Sequence, residues 1–269
     1  MSEFSVVIVC KNEADVIAGT LQSLAGLTDD IVVYDNGSTD GTQQIIKQFD
    51  VRLHEGTWEG FGKTKNKAIR LAKHDWILSL DADEALDETL KQSLLSWTLP
   101  GEQTVFDIPF KNFLGNKYVK YGEWGGDHHI RLFNRNQVRW DEAPVHESLV
   151  LPADAVTKKL KGYVLHRTMG NMEDYITKMM HYALLNAEKY FRQGKKATWF
   201  KIRLSPGFTF FNYFILQRGF LDGHTGYVCA KMTAYYTFLK YARLRELSQQ
   251  ITVGSAQSAV RSSHSEQTS

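Results

Sequence analysis

The chain has 269 residues and a mass of 30.7 kDa, a length that suits one large domain or one domain with an appendage. Hydrophobic residues make up 43% and charged residues 23%, which excludes fibrous and wholly disordered classes of protein. Two cysteines cannot build a disulfide framework, so a reduced cytosolic compartment is expected. The first residues lack a basic region and a cleavage site, so they do not predict a signal peptide.

The net charge of +2 conceals an uneven distribution along the chain. Residues 1–157 carry a net charge of −9, residues 158–249 carry +11, and residues 250–269 are neutral. An acidic front and a basic back predict two surfaces with different partners.

The first 100 residues alternate apolar runs of strand length with segments of helical period. The predicted strands are 4–10, 31–34, 51–53 and 76–80. The predicted helices, one after each strand, are 13–25, 41–49, 62–73 and 87–97. This alternation predicts an α/β fold with a mostly parallel central sheet covered by helices on both faces.

Beyond residue 103 the pattern changes twice. Short β-type segments separated by Gly and Asn turns predict mixed sheet up to about residue 165. Three long helices follow, with breaks or kinks at Pro206, Gly219 and Gly223. We expect three parts. Residues 1–168 form one domain with two halves, 1–100 and 101–168. Residues 169–249 form a basic helical region, and residues 250–269 form a disordered Ser/Gln/Thr-rich tail.

Acidic residues follow the predicted strands at the edge where open α/β sheets bind ligands. Asp81 and Asp83 end the apolar run WILSL, and in extended backbone their carboxylates would face one site. Two like charges at close range favour a bound cation, and hard oxygen ligands select Mg²⁺ or Mn²⁺. Solvated turn acids and helix caps are the alternative for this pattern.

Two other segments are candidates for contacts with a nucleotide. Asp35 opens the segment DNGSTDGT, and a strand-end acid suits the neutral donor group of a base or ribose. Lys63 lies near the start of the third helix and could approach a diphosphate. An ordinary strand-turn-helix junction and a solvated lysine are the respective alternatives.

The string from SVVIVCKNE through VVYDNGSTDGT and GKTKNKAI to WILSLDADE resembles the inverting glycosyltransferases of family 2 over about the first 100 residues. The resemblance implies a GT-A fold that binds a nucleotide-diphosphate sugar with a divalent cation. It further implies that Asn12, Glu13 and Asp35 line the nucleoside pocket, that Asp81 contacts the donor sugar or ribose, and that Asp83 binds the metal.

Inverting transfer needs one general base for the acceptor hydroxyl. The candidates in the acceptor half are Asp127, Asp141, Glu142 and Glu147. The segment RLFNRNQVRWDEAPVHESL resembles a family 2 element in which an arginine-bearing strand precedes Val-His-Glu, and this favours Glu147 as base, with Asp127 second. A surface acid at a strand start is the alternative for Glu147.

His166 and Arg131 complete the candidate site. His166 ends the strand segment YVLH, and a histidine in this fold often serves as a further metal or diphosphate ligand. A structural histidine beside an apolar strand is the alternative. Arg131 is a candidate for positioning phosphate or acceptor.

An aromatic segment in the basic region, FTFFNYFILQRGFL, is too short and polar to span a bilayer, which needs about 20 apolar residues. Basic residues on both sides of it favour a helix on the surface of an anionic membrane. A buried or dimer-forming helical hairpin with solvated lysines is an equal alternative.

The string GFLDGHTGYVCAKMTAYYTFLKYARL resembles the tail of bacterial glucosyltransferases that extend the first heptose of the lipopolysaccharide inner core with β-1,4-linked glucose. This resemblance implies a UDP-glucose donor, a lipid A–core acceptor, and peripheral attachment to the inner, cytoplasmic face of the membrane. Transfer to another lipid-linked or cell-surface saccharide, and a non-catalytic membrane-docked binding protein, are the alternatives.

Three other classes are disfavoured. A pyrophosphorylase needs a Gly-rich basic loop after the first strand, where this chain has Cys10-Lys11-Asn12-Glu13. A dehydrogenase would show G-x-G-x-x-G at that place. A nucleic-acid partner is not expected, because the aromatic residues cluster in an apolar stretch instead of interleaving with a basic stripe.

Overall fold

The computed structural model describes residues 3–142 and 148–265, without the side chains of 168–169 and 250–265. The elements in chain order are β1 (Phe4–Cys10), α1 (Ile17–Ser23), β2 (Ile31–Asp35), α2 (Thr42–Ile46), β3 (Arg52–Glu55), α3 (Phe61–Arg70), β4 (Trp76–Asp81), β5 (Glu84–Leu86), α4 (Glu88–Leu95), β6 (Thr104–Leu114), β7 (Lys117–Val119), β8 (His128–Asn134), β9 (Arg139–Trp140), β10 (Leu149–Val150), β11 (Val156–Lys159), β12 (Val164–Met169), α5 (Met172–Arg192), α6 (Trp199–Phe211) and α7 (Gly223–Ser265). They form two compact units, Met1–Phe113 with Gly126–Thr168, and Leu114–Gly125 with Met169–Ser269.

The first unit contains the predicted α/β fold. Its main sheet has the strand order β3-β2-β1-β4-β8-β6-β12-β5. The strands β3, β2, β1 and β4 are parallel, whereas β8 runs antiparallel to both β4 and β6. The pairing of Cys10 with Asp35 and of Val9 with Asp81 places the carboxyl ends of three strands at one edge. This edge carries the candidate site.

The strands of this sheet are apolar on both faces because helices cover both. On one face Phe4 and Ile8 of β1 pack in the same cluster as Leu90 of α4. On the other face Val7 clusters with Ile69 of α3. Alternation within a strand therefore divides a continuous apolar run between two cores.

The second unit is built mainly from α5, α6 and α7. Ala187, Ala197 and Leu244 form its buried cluster. At Pro206, where the sequence predicted a break or a kink, the helix α6 is not broken, because one proline removes a single backbone bond without ending the helix. A π-helical turn at Asn212–Leu216 and a 3₁₀ turn at Gly219–Asp222 follow it.

The helix α7 extends to Ser265, which differs from the disorder expected from residue 250 onward. Continuing a formed helix adds one hydrogen bond for each residue fixed, so propagation does not need the apolar period on which the expectation depended. Across residues 3–142 and 148–265, no helix is long and apolar enough to cross a membrane.

Candidate functional site

The loops after β1 and β2 are joined by hydrogen bonds. Asn12 has a φ of +56°. Its side-chain oxygen Oδ1 accepts a hydrogen bond from the backbone amide of Thr39 at 2.8 Å, and its backbone amide donates to Ser38 Oγ at 2.8 Å. The Glu13 amide donates to Thr42 Oγ1 at 2.8 Å. The two loops therefore form one rim at the carboxyl edge of the sheet.

Asp35 lies beneath this rim and is fully buried. Its carboxylate accepts bonds from the amides of Gly37 and Ser38, at 3.2 and 3.0 Å, and from Gln43 Nε2 at 2.6 Å. Burial alone would raise the pKa of Asp35, but the hydrogen bonds, led by those of Gln43 and Ser38, hold it below its usual value. The carboxylate is thus engaged by its own loop, and a ligand would have to replace some of these bonds.

Asp81, at the end of β4, lies between two cations. Lys65 Nζ is 3.0 Å from Oδ1, and Arg131 Nη2 is 3.2 Å from Oδ2. Burial opposes ionisation of this carboxyl group, but Lys65 and Arg131 outweigh it and hold the pKa of Asp81 far below its usual value. Asp81 is therefore a carboxylate whose charged form is favoured and whose two oxygens are held by cations at the carboxyl edge of the sheet.

Arg131 is itself held by a second carboxylate, that of Glu84. Both side chains are nearly inaccessible, with 9% and 1% of the side chain exposed, and they form an ion pair. Glu84 Oε2 also accepts a bond from the Asp81 amide at 3.0 Å. Arg131 thus forms ion pairs with both Asp81 and Glu84, so its positive charge is already used to compensate two carboxylates of the protein.

Lys65, not Lys63, is the lysine of α3 that reaches Asp81. Lys63 is half exposed, and its Nζ lies 3.6 Å from Glu142 Oε2. Lys65 is 7% exposed and lies on the inward face of α3, three and four residues before the buried Ala68 and Ile69. The helical period therefore places Lys65 on the buried face of α3, which the motif alone did not indicate.

The sequence prediction placed Asp81 and Asp83 in one extended segment, so that both carboxylates would face one site. That premise is wrong, because Asp83 does not lie in extended backbone. Ala82 and Asp83 form a turn between β4 and β5, because the chain leaves the pairing of β4 with β1 and enters the antiparallel pairing of β5 with β12. Asp83 Oδ2 instead lies 3.3 Å from His166 Nε2 on β12. Burial disfavours charged His166, but Asp83 raises its pKa above the usual value.

A chain of hydrogen bonds continues from His166 to Asp127. His166 Nδ1 lies 2.8 Å from Asn112 Oδ1, and Asn112 Nδ2 donates to Asp127 Oδ2 at 2.9 Å. Asp127 Oδ1 is 3.0 Å from His129 Nε2. Burial would raise the pKa of Asp127, but these bonds lower it to about 2. Two of the predicted residues, His166 and Asp127, are therefore connected through Asn112.

A cleft of about 680 Å³ opens at this edge of the sheet. Its lining includes Lys65, Asp81, His129, Arg131, Trp140 and Ser148. The Trp140 ring lies 4.5 Å from Lys65 Nζ, and Asn66 of α3 exchanges hydrogen bonds with the Trp140 backbone at 2.9 and 3.0 Å. The cleft thus combines cations, the two acids Asp81 and Asp107, and an aromatic wall, a lining that suits a ligand with both an anionic group and a planar or sugar moiety.

The candidate base Glu147 lies outside the described residues. The chain on either side of it is fixed, because the Asp141 amide donates to the Ser148 carbonyl at 2.8 Å and the Ser148 amide donates to Asp141 Oδ1 at 3.1 Å. Gly62 permits the close approach of α3, since a Cβ there would lie 1.6 Å from the Asp141 carbonyl oxygen.

Sequence reasoning did not identify Glu84 or Asn112. Glu84 pairs with a residue 47 positions away, and Asn112 lies near the end of β6 without a motif around it. A polar residue in a buried strand was the available signal for Asn112, which is 4% exposed.

Among residues 3–142 and 148–265, no group of three His, Cys, Asp or Glu side chains is arranged to hold a metal ion. Asp83 and His166 supply two adjacent donors, one of them a carboxylate. Mg²⁺ is commonly bound by one or two carboxylates, with substrate phosphates and water completing its shell. The pair therefore fits a cation that binds together with a diphosphate.

A model of glycosyl transferase family 2 matches residues 5–147. An uncharacterized glycosyltransferase of Rickettsia typhi is 28% identical over 92% of this chain and 88% of its own length. The lipopolysaccharide core biosynthesis glycosyltransferase LpsC of Rhizobium meliloti is 27% identical over 89% of this chain and 91% of its own. A structure of glucosyl-3-phosphoglycerate synthase from Mycobacterium tuberculosis with Mn²⁺ and UDP-glucose matches 42% of this chain and 43% of that chain, at 22% identity and a TM-score of 0.34. Because the family model covers more than half of the chain, the protein belongs to glycosyl transferase family 2.

Proposed function

We propose that this glycosyltransferase moves a hexose, glucose from UDP-glucose, onto a heptose of a lipopolysaccharide core acceptor, with inversion and with Mg²⁺ or Mn²⁺. The observation that carries the proposal is the arrangement at the end of β4, where Asp81 is fixed between Lys65 and Arg131 and Asp83 is paired with His166. A donor with a diphosphate and a sugar supplies both the negative charge and the hydroxyl groups that such a site can bind.

On the donor side, Asn12, Glu13 and Asp35 would hold the nucleoside, and Asp81 would accept hydrogen bonds from the ribose or donor sugar. The low pKa of Asp81 supports this role, because a carboxylate that stays charged accepts bonds from hydroxyl groups. Of Lys63 and Lys65, Lys65 is the better placed to contact the diphosphate, because it lines the cleft while it holds Asp81.

Asp83 and His166 would hold the divalent cation. A bound cation would stabilise the negative charge of the departing nucleoside diphosphate. The contribution of the chain is to present the Asp83 carboxylate in a fixed orientation, since His166 contacts it and is in turn held by Asn112.

In a single displacement, the acceptor oxygen bonds to the anomeric carbon while the bond to the diphosphate oxygen breaks. The acceptor hydroxyl gives its proton to a carboxylate, for which we favour Glu147. Ser148, the next residue, lines the cleft. Asp127 is the weaker candidate, because a pKa of about 2 and bonds from His129 and Asn112 make it a poor proton acceptor.

The acceptor class is supported by the relative LpsC, a lipopolysaccharide core biosynthesis glycosyltransferase that matches 89% of this chain. A lipid A–core acceptor carries several negative charges, and the net charge of +11 over residues 158–249 suits it. The reaction would therefore take place at the inner face of the cytoplasmic membrane, with the protein bound peripherally.

The test is an incubation with UDP-glucose, Mn²⁺ and a truncated core acceptor that ends in heptose, with release of UDP as the readout. Acceptor-dependent UDP release supports the proposal. A parallel screen of UDP-, GDP- and ADP-sugars identifies the donor. Activity with another sugar nucleotide or another lipid-linked saccharide would replace the specific substrates, and retained turnover without a divalent cation would overturn the metal dependence.

A further inference from the structure

The helix α6 exposes a continuous apolar stripe. Phe200, Leu204, Phe208, Phe211 and Ile215 follow one another at intervals of four, four, three and four residues along α6 and the π-helical turn after it. At about 100° per residue these side chains lie within one narrow arc of the helix. Each is exposed, and Phe200 and Phe208 reach 67%. We call these five residues the α6 stripe.

The opposite side of α6 is already packed against α7. Phe210 meets the Tyr227 ring edge to face at 5.8 Å, and Thr209 Oγ1 bonds Thr237 Oγ1 at 3.3 Å. The helix therefore has its own packing face, and the α6 stripe is additional to it. An apolar surface of this kind on a folded unit usually marks a binding site.

The charged residues of the segment that carries the α6 stripe are all basic. Residues 189–221 contain seven Lys and Arg and no Asp or Glu. Lys195 and Lys196 precede the helix and are exposed, Lys201 lies beside the stripe, and Arg218 follows it. An in-plane helix with an apolar face and flanking cations is the arrangement that binds anionic bilayers.

We infer that the α6 stripe is the surface with which this protein docks on an anionic lipid bilayer, its apolar side chains entering the headgroup boundary and its flanking cations pairing with lipid phosphate. This assignment rests on the proposed function, which places the acceptor in a membrane. A second copy of the chain is the less suitable occupant, because pairing two such faces would bring fourteen like charges together without an acid from the same segment to offset them.

The test is flotation of the full chain with phosphatidylcholine vesicles, with and without about one quarter phosphatidylglycerol. The wild type is expected to float only with the anionic vesicles. The variant F200S/L204S/F208S is expected to lose at least about tenfold in binding. Changing Lys195, Lys196 and Lys201 to Gln is expected to cost on the order of a hundredfold, an effect that high salt reproduces in the wild type.

The matched control is L99S/V156S, which removes two apolar side chains of similar exposure, 55% and 51%, from the first unit. It should bind vesicles as the wild type does. Circular dichroism checks the folding of each variant. Unchanged flotation of the stripe variant overturns the assignment, and so does a dimer that the stripe variant abolishes while vesicle binding persists.

Transfer to a deacylated, water-soluble core acceptor separates this assignment from the proposed function. The stripe variant should keep wild-type turnover on that acceptor. Turnover without stripe-dependent vesicle binding rejects the docking surface alone, whereas vesicle binding without any turnover rejects the proposed function alone.

Discussion

The two units handle charge in opposite ways. In the first unit the charges are compensated in the interior, where Arg131 joins Glu84 to Asp81 and His166 contacts Asp83. In the second unit several cations lie over aromatic rings, as Arg203 does over Trp199 at 4.8 Å and Lys231 does over Phe210 at 4.7 Å, while Arg192 and Arg243 pair with Glu188 and Glu246 on their own helices.

This difference explains how a chain of net charge +2 can have two chemically distinct surfaces. Acids that are fixed by internal cations keep a precise orientation, which suits the recognition of a donor. Cations that lack acidic partners remain available to an anionic surface. The contrast predicts that removing a buried, paired charge of the first unit will lower the free energy of unfolding strongly, whereas removing an exposed cation that lies over a ring in the second unit will change it little.

The largest effect is expected for Asp83→Ala. Loss of the carboxylate should lower transfer by about 10⁴-fold or more, because stabilisation of the leaving diphosphate contributes several kcal/mol. Calorimetric titration of UDP-glucose with and without Mn²⁺ should show that the metal-dependent part of donor binding disappears. Asp154→Ala, which removes an exposed acid, is the control and should bind donor normally. Metal-dependent binding by Asp83→Ala would remove this residue from the site.

Glu147→Gln should leave donor binding unchanged and reduce turnover by about 10²–10⁴-fold, the range that a general base supplies. Comparison with Asp127→Asn separates the two candidates, since single-turnover rates report the chemical step directly. If the Glu147 variant keeps its rate and the Asp127 variant loses it, the base is Asp127.

Arg131→Met should destabilise the first unit by about 3–5 kcal/mol, because it leaves the buried Glu84 and the neighbouring Asp81 without their shared cation. Urea unfolding measures the change. The double variant R131M/E84Q should recover part of the loss. A change below about 1 kcal/mol would mean that these interior charges are not compensated by Arg131.

Arg203→Gln tests the other side of the comparison and should cost only about 0.5–1 kcal/mol, the contribution of an exposed cation over an aromatic ring. The same urea titration provides the measurement. A loss as large as that of Arg131→Met would show that the cations of the second unit are structural and not available to a partner.

Much of the fold could be predicted because local pattern and tertiary structure agree. The run Phe4–Cys10 is a strand with the predicted bounds, since every position in it is apolar or small and helices cover both faces. The site was predicted less completely, because its contacts join distant segments. The turn at Ala82 and Asp83 depends on β5, a strand of three residues that pairs with β12 about 80 positions later.

Two further residues had a signal in the sequence, but their contacts did not. Helical phase distinguished Lys65 from Lys63, and polarity within a buried strand marked Asn112. The partners of Asn112, His166 and Asp127, are brought to it by the topology. No local rule specifies the partners of a buried polar residue, because they are supplied by other strands.

The most direct test of the proposed chemistry is the anomeric configuration of the product. Proton NMR of the saccharide formed from UDP-glucose, Mn²⁺ and a heptose-terminated core acceptor would give it. Single displacement by a base-assisted acceptor hydroxyl predicts a β-linked glucose, since the donor is the α anomer. An α-linked product would contradict the inverting mechanism and the role of Glu147.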